Sequence, residues 1–159
     1  MKYRRLSLEE LEELKPEFIN FLAVNGIAAD DWESIQTSDD EKHQEMIDTF
    51  SDMVLEKVLT GVLYLEHRSE SNLMLFCLTE DKMTLTGINL TKDIGVDLTD
   101  PKSVDILLST DSVEDGVLTS FTTEKSYEKE RNLEVFELIN QGCLVISEEY
   151  YSNLVKSLG

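Results

Sequence analysis

The sequence predicts an α+β protein, a small antiparallel sheet covered by helices. Apolar residues recur at helical spacing between residues 1 and 60, and after Gly61 they alternate with polar ones. Short polar turns separate three alternating segments, which is typical of antiparallel strands. We therefore expect a three-stranded meander, one or two further strands, and helices on one face of the sheet, in a single domain of residues 1–159.

The first helix is predicted to begin at Ser7, because Ser7 and Glu10 form a capping box. Pro16 lacks a backbone N–H and crowds the preceding turn, so we expect the helix to kink or restart there. Gly26 suits the left-handed residue that follows many helices and is expected to close this one.

A second, longer helix is predicted from a capping box at Ser38 and Glu41 to about Thr60, with Gly61 after its end. Its apolar residues share one face at helical spacing. This predicted buried stripe consists of Met46, Ile47, Phe50, Met53, Val54 and Val58.

The predicted meander consists of Val62–His67, Leu73–Thr79 and Met83–Leu90. In the third strand the apolar residues change parity at Gly87, so we expect a β-bulge there. The remaining predicted elements are a short helix from Pro101 through Leu108, a strand at Val117–Thr122, a helix from about Lys125 to Gln141, a short strand at Cys143–Ile146 and a last helix capped by Ser147.

Charge limits the partners that the chain can have. The chain has 33 Asp and Glu against 14 Lys and Arg, a formal net charge of -19, spread along its length. Binding to nucleic acid needs cations that displace the counterions of phosphates, and binding to anionic membranes needs clustered Lys and Arg. The only basic cluster is Lys2, Arg4 and Arg5. We therefore expect neither nucleic acid nor a membrane as a partner, and a basic protein surface as the candidate one.

The cysteines and the apolar segments predict a cytoplasmic protein. Cys77 and Cys143 lie in apolar runs, where a thiol is expected to be reduced and buried. No apolar stretch approaches the roughly 20 residues of a membrane helix, and the N-terminus lacks the apolar segment of a secretory signal. The sequence makes no prediction of the oligomeric state.

Four carboxylates of the second helix form what we call the acidic stripe: Glu45, Asp48, Asp52 and Glu56. Their spacings of three and four residues place them on one side of the helix, roughly opposite its apolar face. Like charges at these spacings repel each other. One interpretation is that the stripe binds a basic protein surface, and the other is a solvated face of an acidic protein.

Tyr64, Glu66 and His67 form the densest set of chemically capable side chains. On a strand, Tyr64 and Glu66 share one face while His67 lies on the other, whereas acid–base catalysis needs groups that converge on a cleft. One interpretation is a strand end that reaches solvent. The other is a cleft that binds a small molecule or belongs to an unrecognised enzyme.

Familiar catalytic and cofactor motifs are missing from the sequence. It has no phosphate-binding loop, dinucleotide-binding motif or nucleophile elbow. Neither His43 nor His67 has the Glu three residues earlier that a di-iron helix pair needs. We predict no catalytic residue, no cofactor and no metal site, and an enzyme only if its residues converge from distant segments.

Five segments carry a resemblance that spans nearly the whole chain: Met1–Ser7, Glu17–Ala23, Trp32, Tyr64–His67 and Glu137–Cys143. Together they resemble an uncharacterised family of small acidic proteins from Bacteroidetes bacteria. The resemblance implies a bacterial, cytoplasmic protein. Because that family has no assigned function, it implies no functional residue.

The favoured interpretation of the sequence is a non-enzymatic, cytoplasmic protein-interaction domain that binds through the acidic stripe. The alternative is a small-molecule-binding domain or an unrecognised enzyme with a cleft near Tyr64, Glu66 and His67. The two interpretations differ in chemistry, since the first needs a basic partner and the second a concave pocket.

Overall fold

The computed structural model describes residues 1–109 and 116–158. Its helices are α1 Leu8–Glu13, α2 Lys15–Val24, α3 Trp32–Thr37, α4 Glu41–Thr60, α5 Pro101–Ser109, α6 Arg131–Asn140 and α7 Glu148–Leu158, with a 3₁₀ turn at Ala29–Asp31. Its strands are β1 Tyr64–Arg68, β2 Asn72–Leu78, β3 Lys82–Leu90, β4 Leu118–Ser126 and β5 Leu144–Val145. The α+β prediction is confirmed.

The chain divides into two compact units, Met1–Leu59 and Thr60–Gly159. The described elements of the first unit are helical, and the second unit holds the sheet. That the whole chain is a single domain stays a prediction, because the division by contacts does not show whether either unit folds alone.

The first unit begins as the capping residues predict. Ser7 Oγ accepts a hydrogen bond from the backbone N–H of Glu10 at 3.1 Å, at the start of α1. The helix is interrupted at Leu14, and Pro16 lies in the first turn of α2, where a missing N–H costs nothing. Gly26 follows α2 with a φ of 79°, a left-handed conformation that glycine adopts without strain.

The core of the first unit is built around three aromatic rings. The centroid of the Phe18 ring lies 4.8 Å from that of Trp32, edge to face, and 4.8 Å from that of Phe50. Trp32 begins α3 and is only 4% exposed. The buried members of this core are Leu6, Leu11, Phe18, Leu22, Trp32, Ile35, Ile47 and Phe50.

The start of α4 differs in detail from its prediction. Ser38 Oγ accepts from the N–H of Asp40 at 3.0 Å, and Asp40 Oδ1 accepts from the N–H of Lys42 at 2.8 Å. The residue that caps α4 is therefore Asp40 and not Ser38.

The buried side of α4 is narrower than predicted, because Met53 and Val58 are 51% and 56% exposed. Met53 is turned by about 120° from Ile47 at 100° per residue. Val58 lies in the last turn, beyond Leu55, which is the last α4 residue packed against the core of the first unit.

The five strands of the second unit form one antiparallel sheet in the order β4-β3-β2-β1-β5. The pairing of β1 with β2 and of β2 with β3 confirms the predicted meander. β4 extends it beyond β3, and the two-residue β5 pairs with β1, so that Leu65 lies opposite Val145.

Both faces of this sheet carry buried side chains. The first face presents Leu73, Leu75 and Ile88, which pack with residues of α5 and α7 such as Val104 and Leu154. The second face presents further buried side chains, namely Leu65, Phe76, Leu78 and Met83. Apolar residues of both parities are therefore buried, so the second face of the sheet is covered as well as the first.

The predicted β-bulge at Gly87 is absent. Gly87 pairs with Met74 of β2 and with Phe121 of β4, and the register of β3 with both neighbouring strands is unbroken. A Cβ at Gly87 would lie 2.6 Å from the carbonyl oxygen of Leu73 and 2.7 Å from the Phe121 ring. Glycine is needed here for this close approach. The change of parity reflects a sheet that is buried on both faces.

The helix predicted from Lys125 begins later, at Arg131, because β4 continues through Ser126, which pairs with Lys82. The side chain of Arg131 then donates to the carbonyl oxygen of Leu78 at 3.1 Å and fixes the start of α6. The cap of α7 is confirmed, since Ser147 Oγ accepts from the N–H of Tyr150 at 3.1 Å.

Candidate functional site

The acidic stripe lies along α4, and three of its four carboxylates bind residues 2–5 of the chain, which we call the N-terminal segment. The segment runs antiparallel to α4, because Lys2 contacts Glu56 and Arg5 contacts Asp48. Eight residues of helix rise about 12 Å, and three steps of extended chain span about 10 Å. The two lengths match, so successive residues of the segment meet successive turns of the helix.

Asp52 binds the backbone of the N-terminal segment. Its Oδ2 accepts from the N–H of Lys2 at 2.6 Å, and its Oδ1 accepts from the N–H of Tyr3 at 3.0 Å. Such bonds to an ionised acceptor are stronger than neutral ones. They do not depend on which side chains the bound segment carries.

The carboxylates on either side of Asp52 bind side chains. Arg5 Nε donates to Asp48 Oδ1 at 2.6 Å, and Lys2 Nζ donates to Glu56 Oε2 at 3.2 Å. The Tyr3 hydroxyl also donates to Glu56. Burial, and next the hydrogen bond to Glu56, raise the pKa of Tyr3 to about 12. The hydrogen bond to Asp48 raises the pKa of Arg5.

The N-terminal segment is exposed except at the half-buried Tyr3, whereas the residue after the segment is buried. The Lys2 and Glu56 side chains are 33% and 45% exposed, but Leu6 is only 5% exposed. The N–H of Leu6 donates to Ser51 Oγ at 3.0 Å in a buried hydrogen bond. Leu6 is therefore the anchor of the segment. Glu45, the fourth carboxylate of the stripe, is exposed one turn beyond Asp48.

The second predicted site is divided between the two faces of the sheet. Glu66 lies on the first face, where its Oε2 accepts from Arg68 Nε at 3.3 Å and both side chains are 12% exposed. Arg68 also donates to the hydroxyl of Tyr150. Burial and then the hydrogen bond to Glu66 raise the pKa of Tyr150. The Glu66 carboxylate is therefore held in an ion pair with Arg68 and is largely shielded from solvent.

Tyr64 and His67 lie on opposite faces of β1, as strand parity requires. The Tyr64 ring stacks on that of Tyr151, with centroids 4.6 Å apart. His67 Nδ1 is buried without a hydrogen-bond partner among the described residues. The three predicted residues therefore do not converge on one cleft.

Tyr151, which stacks on Tyr64, also lines a cleft that was not predicted from the sequence. This cleft, which we call the hydroxyl cleft, has a volume of about 500 Å³. It lies on the first face of the sheet and is lined by Thr84 and Thr86 of β3, Ser120, Phe121 and Thr122 of β4, and Tyr151, Val155 and Leu158 of α7. The sequence does contain a signal that could have indicated this cleft. Hydroxyl residues occupy alternate positions of two strands, Thr84 and Thr86 in one and Ser120 and Thr122 in the other.

Burial favours the neutral forms of two ionisable groups at the hydroxyl cleft, Cys77 and Tyr151. Burial raises the pKa of the Cys77 thiol, which a hydrogen bond links to Tyr151. Burial is the main reason that the pKa of Tyr151 is raised as well. A thiol that stays protonated is a poor nucleophile, so this arrangement suits binding better than covalent chemistry.

The described residues offer neither a metal site nor a membrane-spanning helix. Over residues 1–109 and 116–158, no three His, Cys, Asp or Glu side chains are placed to hold a metal ion. No helix within these ranges combines the length and the apolar character that a bilayer crossing requires.

A family model described as a family of unknown function matches residues 1–159. The chain belongs to the DUF6495 family. The prediction of a family without an assigned function is confirmed, whereas the Bacteroidetes origin stays a prediction. No curated protein and no solved structure matches the chain. The DUF6495 assignment gives no residue a role, so the function of this member has to be inferred from its geometry.

Proposed function

We propose that this DUF6495 member is a non-enzymatic interaction protein whose acidic stripe binds an extended basic segment of a partner protein. One observation carries the proposal: the stripe already holds a basic segment of its own chain. The N-terminal segment supplies the two cations, Lys2 and Arg5, and two backbone N–H groups to three carboxylates. The partner segment replaces these contacts with its own.

The geometry of the stripe supports selection for both shape and charge. Asp52 binds consecutive backbone N–H groups, which the interior of a helix does not offer because its N–H groups are already bonded. Asp48 and Glu56 then select positive side chains on either side. Glu45 lies exposed beyond the bound segment, so a longer basic partner gains a fourth carboxylate.

The N-terminal segment is a replaceable occupant because its ion pairs are exposed. Exposed pairs contribute about 0.2–1 kcal/mol each, whereas the buried Leu6 keeps the segment tethered near the stripe. A tethered segment acts at an effective concentration in the millimolar range. Only a partner with more basic residues than the segment displaces it, and this selects against weakly basic proteins.

The proposal is tested with a fluorescently labelled polyarginine peptide and the full chain. Reversing two stripe charges, with Asp48→Lys and Glu56→Lys together, is expected to weaken peptide binding at least tenfold, equivalent to about 1.4 kcal/mol. The matched control, Glu9→Lys with Glu13→Lys, makes the same change in net charge on exposed residues of the α1 region. Equal losses for the two double variants would show that only net charge matters and would contradict the proposal.

The small-molecule or enzyme alternative near Tyr64, Glu66 and His67 has one observation in its favour. Tyr64 stacks on Tyr151, which lines the hydroxyl cleft. Glu66 is engaged by Arg68 and His67 lies on the other face of the sheet. Of the three residues, Tyr64 is thus the one that supports small-molecule binding.

A further inference from the structure

We propose that the hydroxyl cleft binds a small neutral polyol of about the size of a monosaccharide. The inference rests on the small-molecule alternative and deepens it by naming a site and a ligand class. It does not depend on the acidic stripe, which belongs to the other compact unit.

The floor of the cleft is an array of hydroxyl groups. Thr86 of β3 lies directly opposite Thr122 of β4, and Thr84 and Ser120 lie one step along the same face of their strands. A hydroxyl group both donates and accepts, which matches the hydroxyls of a polyol. The Oγ1 atoms of Thr86 and Thr122 are 3.5 Å apart, at the outer limit of a hydrogen bond. Thr86 also shares a hydrogen bond with Tyr151, so the exposed Thr122 hydroxyl is the more available of the two for a ligand.

The wall of the cleft supplies the apolar half of the contact. Val155 and Leu158 of α7 line the wall together with the ring of Tyr151. The Tyr151 ring is fixed by stacking on Tyr64. A sugar ring or a cyclic polyol has C–H faces as well as hydroxyl edges, so a polar floor beside an apolar wall contacts both.

The charges in and around the cleft disfavour polyols that carry a phosphate or carboxylate group. Among the described residues that line the cleft there is no Lys or Arg. Lys82, nearby on the same face, is paired with Glu124 at 2.9 Å. A phosphate or carboxylate group in the cleft would find no counter-charge, and the net charge of -19 repels it. A neutral ligand avoids both costs.

The size of the cleft fits one small ligand. Its volume of about 500 Å³ lies within the range of small-molecule sites, roughly 300–1,000 Å³. Because the floor residues Ser120 and Thr122 are themselves exposed, the cleft is open and a ligand keeps contact with water on one side. The expected affinity is therefore in the millimolar range, as for other open sites without charge.

The test is an NMR titration of the full chain with glucose, galactose, mannose and myo-inositol. At least one of these probes is expected to shift the amide signals of Thr84, Thr86, Ser120 and Thr122 in a saturable manner. The reference ligand is whichever of glucose, galactose and mannose binds best. Glucose 6-phosphate is expected to bind at least about tenfold more weakly than this reference. Tighter or equal binding of the phosphate overturns the neutral ligand class.

A pair of matched variants tests the location. Thr122→Val removes an exposed hydroxyl of the cleft and is expected to weaken binding about tenfold, since one hydrogen bond is lost. Thr123→Val makes the same change one residue along β4, on the opposite face, and is expected to have no effect. Equal affinities for the two variants overturn the assignment of the cleft.

The outcomes separate this inference from the broader alternative. Saturable shifts at Glu66 or His67 without shifts in the cleft overturn the cleft and leave small-molecule binding near Tyr64 in place. An absence of shifts with all four neutral probes overturns the polyol inference. Binding of glucose 6-phosphate alone would then retain the cleft for a different ligand class.

Discussion

The acidic stripe and the hydroxyl cleft offer opposite chemistries to a partner. The stripe is a row of carboxylates on one helix, and the chain itself already occupies three of them. The cleft is a neutral floor of hydroxyl groups on two paired strands. In a chain with a net charge of -19, the charged surface is the ordinary one and the neutral cleft is the exception. Binding to the first must depend on salt, and binding to the second must not.

The largest expected effect is a loss of stability from a substitution in the sheet that carries the cleft. Gly87→Val places side-chain atoms against the carbonyl oxygen of Leu73 and the ring of Phe121. We expect a loss of about 3 kcal/mol in the free energy of unfolding, measured by urea denaturation. Thr119→Val, at an exposed position of β4, is the control and is expected to change stability by less than about 0.5 kcal/mol. An unchanged Gly87→Val midpoint would contradict the close approach at this position.

The next effect concerns the anchor of the N-terminal segment. Ser51→Ala removes the buried acceptor of the Leu6 N–H and is expected to lower the free energy of unfolding by about 2 kcal/mol, because the N–H is left unsatisfied. Ser157→Ala is the control, since this hydroxyl lies at an exposed position of α7 and donates to the carbonyl oxygen of Asn153. Equal losses in the two variants would show that Leu6 is not anchored in this way.

A smaller effect separates the two surfaces by their response to salt. A double-mutant cycle of Arg5→Ala with Asp48→Ala is expected to give about 0.5 kcal/mol of coupling at low salt. The coupling should vanish near 1 M salt, where the Debye length is about 3 Å. A cycle of Thr86→Val with Thr122→Val is the control and should not respond to salt. Persistence of the Arg5 coupling at high salt would break the comparison.

The last effect appears only at alkaline pH. Because the pKa of Tyr3 is raised from 10.0 to about 12, its unfolded phenol ionises first, and stability that is present below pH 10 is lost as the pH rises towards 12. Tyr3→Phe should lose less stability than the wild type over this interval, as measured by urea denaturation at each pH. Parallel curves for the two proteins would contradict the raised pKa.

Local signals predicted much of the fold. The cap at Ser7, the restart at Pro16 and the meander are all encoded in short segments. The errors came from pairing at a distance. Residues 125–126 belong to β4 because they pair with Lys82 and Met83 of β3, which no helical pattern reveals.

The candidate sites show the same contrast between local sequence signals, which were predictable, and contacts between distant segments, which were not. The stripe was visible because its spacing is local, but its occupant lies about 50 residues away in the sequence, at Lys2 and Tyr3. The cleft needs β3, β4 and α7 together, so its hydroxyl groups looked like ordinary strand residues. Tyr64 and His67 were placed on opposite faces correctly, since strand parity alone decides this.

The central claim, that the N-terminal segment is a replaceable occupant of the acidic stripe, is tested most directly by the backbone amide signals of Lys2 and Tyr3. Asp52→Ala gives their positions when the segment is released. During titration of the wild-type chain with the polyarginine peptide, both signals are expected to move to these positions in proportion to the bound peptide. Saturation of peptide binding with both signals unmoved would contradict the claim.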